Sequence, residues 1–114
     1  MSTPCIFCRI ANKEISAGLA YEDDAIVAFH DQNPQAPTHV LVIPKRHIAS
    51  LDAAVEADTK LLGAMMLAAK NVAAASGLSG GYRVVTNCGP DGGQTVSHVH
   101  LHILGGRAMA WPPG

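Results

Sequence analysis

Residues 98–104 read His98-Val99-His100-Leu101-His102-Ile103-Leu104, and this alternation constrains the fold more than any other stretch. Side chains of a β-strand point alternately to opposite faces. The spacing therefore predicts a strand with His98, His100 and His102 on one face. Val99, Leu101 and Ile103 fall on the other, turned toward a core, which leaves the histidines to line a surface or cleft. Two chemistries use such a row. Neighbouring imidazoles can grip a catalytic zinc ion with a water in the open position. Alternatively, one imidazole can act as a nucleophile while its neighbours bind a phosphoryl group. The outer histidines of a regular strand lie ~13 Å apart at Cα, too far for all three to hold one ion easily. Upstream, Gly92-Gly93-Gln94-Thr95 places small residues, an amide and a hydroxyl near the strand. Backbone N–H groups in such a turn can form an anion-binding concavity, which suits phosphoryl chemistry.

The rest of the chain predicts the frame around that strand. Residues 5–13 read as a helical turn or two. Leu19–Glu22 and Ala25–His30 flank Asp23-Asp24, a hairpin signal. Asn33-Pro34-Gln35-Ala36-Pro37 is a loop, because proline removes donors and restricts its predecessor. His39–Ile43 is a strand that stops at Pro44. Residues 58–76 form the main helix, with Asp58 as N-cap and Gly77 as its stop. Tyr82–Cys88 is a strand, and Gly89–Gly93 is a turn. Short links predict antiparallel pairing in an α+β domain, with residues 1–114 as one domain. The helix carries Leu61, Leu62, Met65, Met66, Leu67 and Val72 almost all round, where a surface helix should show a polar face. Two readings fit: a central core helix, or one side in the core and the other in a dimer seam. In so small a domain a helix is rarely enclosed on all sides, which favours the seam. A Trp at position 111 also needs somewhere to bury its ring.

Composition narrows the function classes. The 114 residues are 48% hydrophobic and 15% charged, with net charge −1. That leaves little polar residue to cover a monomer, and no polybasic run for nucleic acid. No apolar run reaches the ~18 residues of a membrane helix. The first ten residues show no secretory pattern, which predicts a cytoplasmic, reducing setting. Three cysteines are not a disulfide framework. Cys5-Ile-Phe-Cys8 instead reads as a metal pair, a redox pair, or two buried apolar thiols, and Cys88 as a packed thiol.

The histidine row and its flanks resemble the histidine triad (HIT) superfamily. The resemblance extends through Phe29-His30-Asp31, Pro34–His39, Val42–Lys45, Gly81-Tyr82-Arg83, Asp91–Gln94, Leu104–Arg107 and Trp111–Gly114, nearly the whole chain in order. It points to the nucleotide-binding, nucleoside phosphoramidase branch. The implied fold is a five-stranded antiparallel sheet with one long helix and a short N-terminal helix, the sheet continuing across a homodimer. The implied activity is hydrolysis of purine nucleoside phosphoramidates to the monophosphate and an amine. His100 would be the nucleophile, forming a nucleotidyl-histidine, with His102 and His39 beside the phosphate. Asn87 and Thr95 would bind or polarise the phosphate and leaving group, and Gly93 and Gln94 would belong to the nucleotide loop. Asp31 would take the ribose hydroxyls, with Phe29 and Ile10 near the base and Trp111 reaching the partner's site. Thr95 departs from the more usual serine but keeps the hydroxyl. Relatives with a Cys pair imply a structural zinc held by Cys5, Cys8, His47 and His98, with no organic cofactor. Two other readings stand beside this one: a dinucleoside polyphosphate hydrolase, and a nucleotide-binding scaffold whose catalysis is incidental. Nucleotidyl transfer is disfavoured, because those relatives carry Gln at the position of His102.

Overall fold

In the computed structural model, residues 5–114 are described; residues 1–4, part of the expected 1–114 domain, lie outside the described residues. The elements run α1 (Ile6–Ala11), β1 (Leu19–Glu22), β2 (Ile26–His30), β3 (Thr38–Pro44), a short 3-10 turn (Glu56–Asp58), α2 (Thr59–Ala75), β4 (Tyr82–Val85) and β5 (Leu101–Gly105). The strands form one five-stranded sheet in the order β1-β2-β3-β5-β4. Every neighbouring pair is antiparallel. This is the expected α+β arrangement with one long and one short helix. Among the described residues, no helix is long and apolar enough to cross a membrane.

Local chemistry explains the boundaries. At the first hairpin, Asp23 Oδ1 accepts from the N–H groups of Ala25 and Ile26, both at 2.8 Å. A side chain that bonds its own backbone two residues on is the usual way aspartate makes a turn. The long helix ends in a complete Schellman pair: Gly77 N–H donates to Ala74 O and Leu78 N–H to Ala73 O, both at 3.1 Å. Gly77 has φ +75°, a conformation that costs glycine little. The helix start differs from the expectation. Asp58 sits at the N-cap but gives α2 no side-chain cap bond. Its carboxylate instead accepts from Val55 N–H at 2.9 Å and pairs with Arg46, so it fastens the preceding turn.

Central strands β2 and β3 are covered on both faces. Alternate residues Ile26, Ala28, Val40 and Val42 join Met65, Ala69, Val72, Leu101 and Ile103 in the core under α2. The intervening Val27, Phe29, Leu41 and Ile43 join Phe7, Ile10 and Ala11 in a second core under α1. Two expected strands are shorter than predicted. The strand predicted over 82–88 ends at Val85, because its partner β5 begins only at Leu101 and the last β4–β5 pair is Val85 with His102. The strand predicted over 98–104 is laddered only from Leu101.

Met65 is almost fully buried, whereas Met66 is 51% exposed. Met65→Ala removes apolar contacts on the α2 side of the sheet and is expected to cost about 2–5 kcal/mol. A fall in the urea midpoint at unchanged slope checks this; an unchanged midpoint contradicts it.

Candidate functional site

The alternation in the histidine row survives even where the strand ladder does not. Val99, Leu101 and Ile103 all face the α2 core. On the other side Phe7 meets the rings of His98 and His100 edge-on, with centroids 5.9 and 5.0 Å away. Of the two expectations for the row, a surface or a cleft, the structure shows an enclosed one: α1 covers the row, burying His98 and His100 and leaving His102 half-buried. The run-in to β5 is held from outside the ladder. Val99 N–H donates to Ile48 O at 2.6 Å, and the Thr86 hydroxyl donates to His100 O at 2.8 Å.

His98 turns into a cluster with Cys5, Cys8 and His47, whose donor atoms lie within 4.8 Å of one another. His47 Nδ1 and His98 Nδ1 are 3.1 Å apart, and Cys8 Sγ lies 3.2 Å from His47 Nδ1 and 3.5 Å from His98 Nδ1. Cys5 Sγ is 3.4 Å from His98 Nδ1. A tetrahedral zinc with bonds near 2.3 Å to sulfur and 2.05 Å to nitrogen needs N···N of about 3.3 Å and S···N of about 3.6 Å. The separations match. His98 Nε2 donates to Pro44 O at 2.8 Å, which leaves Nδ1 with a free lone pair, the outer-shell arrangement a metal-bound imidazole uses. Without a cation, burial and the adjacent Cys5 push the Cys8 thiol up to about 11; a divalent cation favours the thiolate instead. The donor set fits a structural zinc site with no open position.

Backbone partners fix the protons on the remaining rings. Carbonyls only accept, and amide N–H groups only donate. His100 Nδ1 lies 2.7 Å from His98 O, so the neutral ring carries its proton there and presents a lone pair at Nε2. Gln35 N–H donates to His39 Nδ1 at 3.0 Å, so neutral His39 is protonated at Nε2. That atom is 2.9 Å from His102 Nδ1 and 3.5 Å from an Asp31 carboxylate oxygen. His102 Nδ1 therefore accepts, and its own proton sits on Nε2. The rings of His100 and His102 are 4.9 Å apart. A nitrogen lone pair and an N–H donor thus stand on adjacent imidazoles. His39 reaches His102 because β3 and β5 place them diagonally, His102 being the register partner of Leu41.

Beside these rings lies a cavity of about 240 Å³ whose lining includes Phe7, Ile10, Phe29, Leu41, Val96 and Asp31. The structure thus brings Ile10, Phe29 and Asp31 to one cavity and adds Phe7, which no sequence motif singles out. Asn87 Nδ2 donates to Gly92 O at 2.6 Å, tying the glycine turn to the end of β4. A Cβ on Gly92 would stand 2.4 Å from Cys88 O, so the turn closes only with glycine there. The Gln94 amide is used inside the fold: Oε1 accepts from Gly89 N–H, and Nε2 donates to Ala49 O and Val96 O. The N–H groups of Gly93 and Gln94 donate to Pro90 O and Gly89 O. That corrects the expectation of an open anion concavity at these two residues, which instead hold the loop's shape. Thr95 is exposed just before the histidine run. Trp111 is 81% exposed, on a tail fastened by Arg83 Nη2 donating to Ala110 O at 2.7 Å.

Burial pushes His102 down to about 4, helped by the neighbouring His100 and His39. Burial also lowers His39, with Asp31 opposing. From the ordinary 6.5 down to about 4 the unfolded chain binds more protons at His102 than the native one, and His39 shifts in the same direction. The His102 contribution is intact above 6.5 and is lost progressively as the pH falls toward 4. The urea midpoint should therefore fall between about pH 7.5 and 4.5, and fall less in His102→Gln; an equal fall in both proteins contradicts the assignment. Separately, protein purified without chelator should contain about one zinc per chain and lose it on Cys8→Ser, by elemental analysis. A clean zero in the wild type refutes the metal site.

Comparison with known proteins identifies the family. The HIT domain family matches residues 12–109. A 14 kDa zinc-binding protein of Zea mays is 51% identical over 114 residues, covering 98% of this chain and 89% of that protein. The crystal structure of a HIT family hydrolase from Legionella pneumophila superposes with TM-score 0.94 at 52% identity, covering 96% of this chain and 99% of that one. A histidine triad nucleotide-binding protein from Candida albicans superposes with TM-score 0.81 at 31% identity, covering 95% and 82%. The chain belongs to the HIT, or histidine triad, family.

Proposed function

We propose that this protein is a hydrolase of purine nucleoside phosphoramidates, working through a nucleotidyl-histidine on His100. The observation that carries the reading is the pair of fixed tautomers: a lone pair at His100 Nε2 beside an N–H donor at His102 Nε2. The hydrolase and nucleotide-binding descriptions of the Legionella and Candida relatives support it. In the first step His100 Nε2 attacks phosphorus and the P–N bond breaks. The amine leaves only once protonated, so a donor is required. His102 Nε2–H or the Thr95 hydroxyl supplies that proton. In the second step water attacks phosphorus, the bond between phosphorus and His100 Nε2 breaks, the nucleoside monophosphate leaves, and the water's proton restores the donor. Asp31 takes the ribose hydroxyls, and Phe7, Ile10 and Phe29 enclose the base. Asn87 binds the phosphate, and Gly93 and Gln94 shape the loop beside it.

The reading includes a homodimer. Met66 and Leu67, 51% and 63% exposed, lie on the outer side of α2, and β4 is an edge strand with Tyr82 exposed. A second copy packed there would cover apolar surface and extend the sheet, and Trp111 would gain a place to bury its ring. The zinc-binding description of the maize relative supports a resident structural zinc on Cys5, Cys8, His47 and His98.

The test is turnover of an adenosine phosphoramidate with a fluorescent amine, set against a dinucleoside polyphosphate. Preference for the amidate supports the reading. Preference for the polyphosphate indicates the second enzyme class, and turnover of neither indicates a binding protein. His100→Ala should abolish amidate turnover while the nucleoside monophosphate still binds; a residual rate above roughly a tenth of wild type overturns the nucleophile assignment.

A further inference from the structure

The metal cluster and the proposed nucleophile meet at a single residue. His98 bonds in three directions. Its Nδ1 faces Cys5, Cys8 and His47, its Nε2–H donates to Pro44 O at 2.8 Å, and its main-chain oxygen accepts from His100 Nδ1 at 2.7 Å. The third bond is the one that leaves His100 Nε2 unprotonated. The carbonyl that makes it lies before β5 begins, so the sheet ladder does not hold it. Val99 N–H, in the same peptide unit as that carbonyl, bonds Ile48 O, next to His47, and the His98 ring ties the residue to the cluster. Phe7, between Cys5 and Cys8, rests edge-on against the His100 ring at 5.0 Å.

We propose that His98 is a positioning residue for His100: a metal bound through its ring holds its carbonyl where it fixes the His100 tautomer. Resting on the reading of His100 as nucleophile, the proposal makes the structural zinc site a determinant of rate. If the carbonyl drifts, neutral His100 is free to move its proton to Nε2, and the attacking atom then has no lone pair.

The test reads the tautomer directly, by long-range ¹H–¹⁵N NMR of histidine-labelled protein, zinc-loaded and after chelation. The loaded protein should show His100 in the Nδ1–H form alone. The metal-free protein should show both tautomers, and kcat should fall ~10-fold or more while KM changes less than ~3-fold. Re-adding zinc should reverse both changes. Cys5→Ser keeps a side-chain oxygen to cap α1 but weakens the metal site, and should behave as the chelated protein. Cys5→Asp keeps both a cap and a ligand, and should restore zinc and the single tautomer. An identical His100 spectrum in the loaded and metal-free folded proteins overturns the proposal. If chelation unfolds the chain, exchange of zinc for the larger cadmium reads the same coupling in a folded protein. His100 Nδ1–H should then exchange with solvent faster, and an unchanged exchange rate overturns the proposal. The two readings fail separately: active His100→Ala removes the nucleophile and leaves the tautomer result standing, whereas a metal-insensitive tautomer removes only the coupling.

Discussion

The pairing of β3 with β5 stops at Val42 and Leu101, and the three residues before Leu101 must satisfy their polar groups elsewhere. Buried backbone groups without partners are costly, so the partners found there reveal what the segment is for. Val99 N–H goes to the loop that carries His47, His100 O takes the Thr86 hydroxyl, and His98 O takes the His100 ring. A continuous ladder would have occupied the His98 and His100 main chain with a neighbouring strand. Ending the strand early frees a carbonyl to orient an imidazole, and lets the His98 ring reach a pair of cysteines ninety residues earlier in the chain.

The protonation pattern follows from these backbone partners more than from charge. Burial lowers His39 and His102, so the phosphate would be met by neutral N–H donors, not by imidazolium ions. That matches a chain of net charge −1, with Arg83 and Arg107 engaged on main-chain carbonyls of the C-terminal tail and the proline loop. In the proposed reaction a neutral site leaves His100 free to attack, because neighbouring positive charge does not draw on its lone pair. The positive charge that would form on the ring is balanced by the phosphate bonded to it.

Periodicity made much of this legible. The two-residue alternation of 98–104 identified the faces correctly, and Gly77 marked the end of α2. The Cys-x-x-Cys spacing offered a metal pair beside a redox pair and two buried thiols, and its two histidine partners rested on resemblance to relatives, because spacing alone does not bring residues 47 and 98 to residues 5 and 8. Partners distant in sequence and made by the backbone were not legible. The amide that sets the His39 tautomer belongs to Gln35 in a proline-rich loop, and no side-chain pattern announces it. Gln94 reads as part of the nucleotide loop, yet its amide is consumed by carbonyls at residues 49 and 96. Asp58 has the residue type and position of an N-cap, but Val55 N–H and Arg46 compete for its carboxylate and take it.

The two layers over the sheet are unequal, and this explains why a metal site stands where it does. The seventeen-residue α2 brings Met65, Ala69, Val72 and Ala73 against one face and needs no further anchor. The opposite face, which carries the histidine rings of the proposed site, is covered by α1, a helix of six residues. Helices shorter than about 12 residues are marginal alone, because nucleation costs more than one or two turns return. Phe7, Ile10 and Ala11 bury apolar surface there but form only a small patch. A zinc ion on Cys5 and Cys8 would pin the first turn of that helix to His47 and His98, at the point where Phe7 meets the His100 ring. The fold therefore places its strongest available cross-link under its weakest layer, which is also the layer that encloses the proposed substrate.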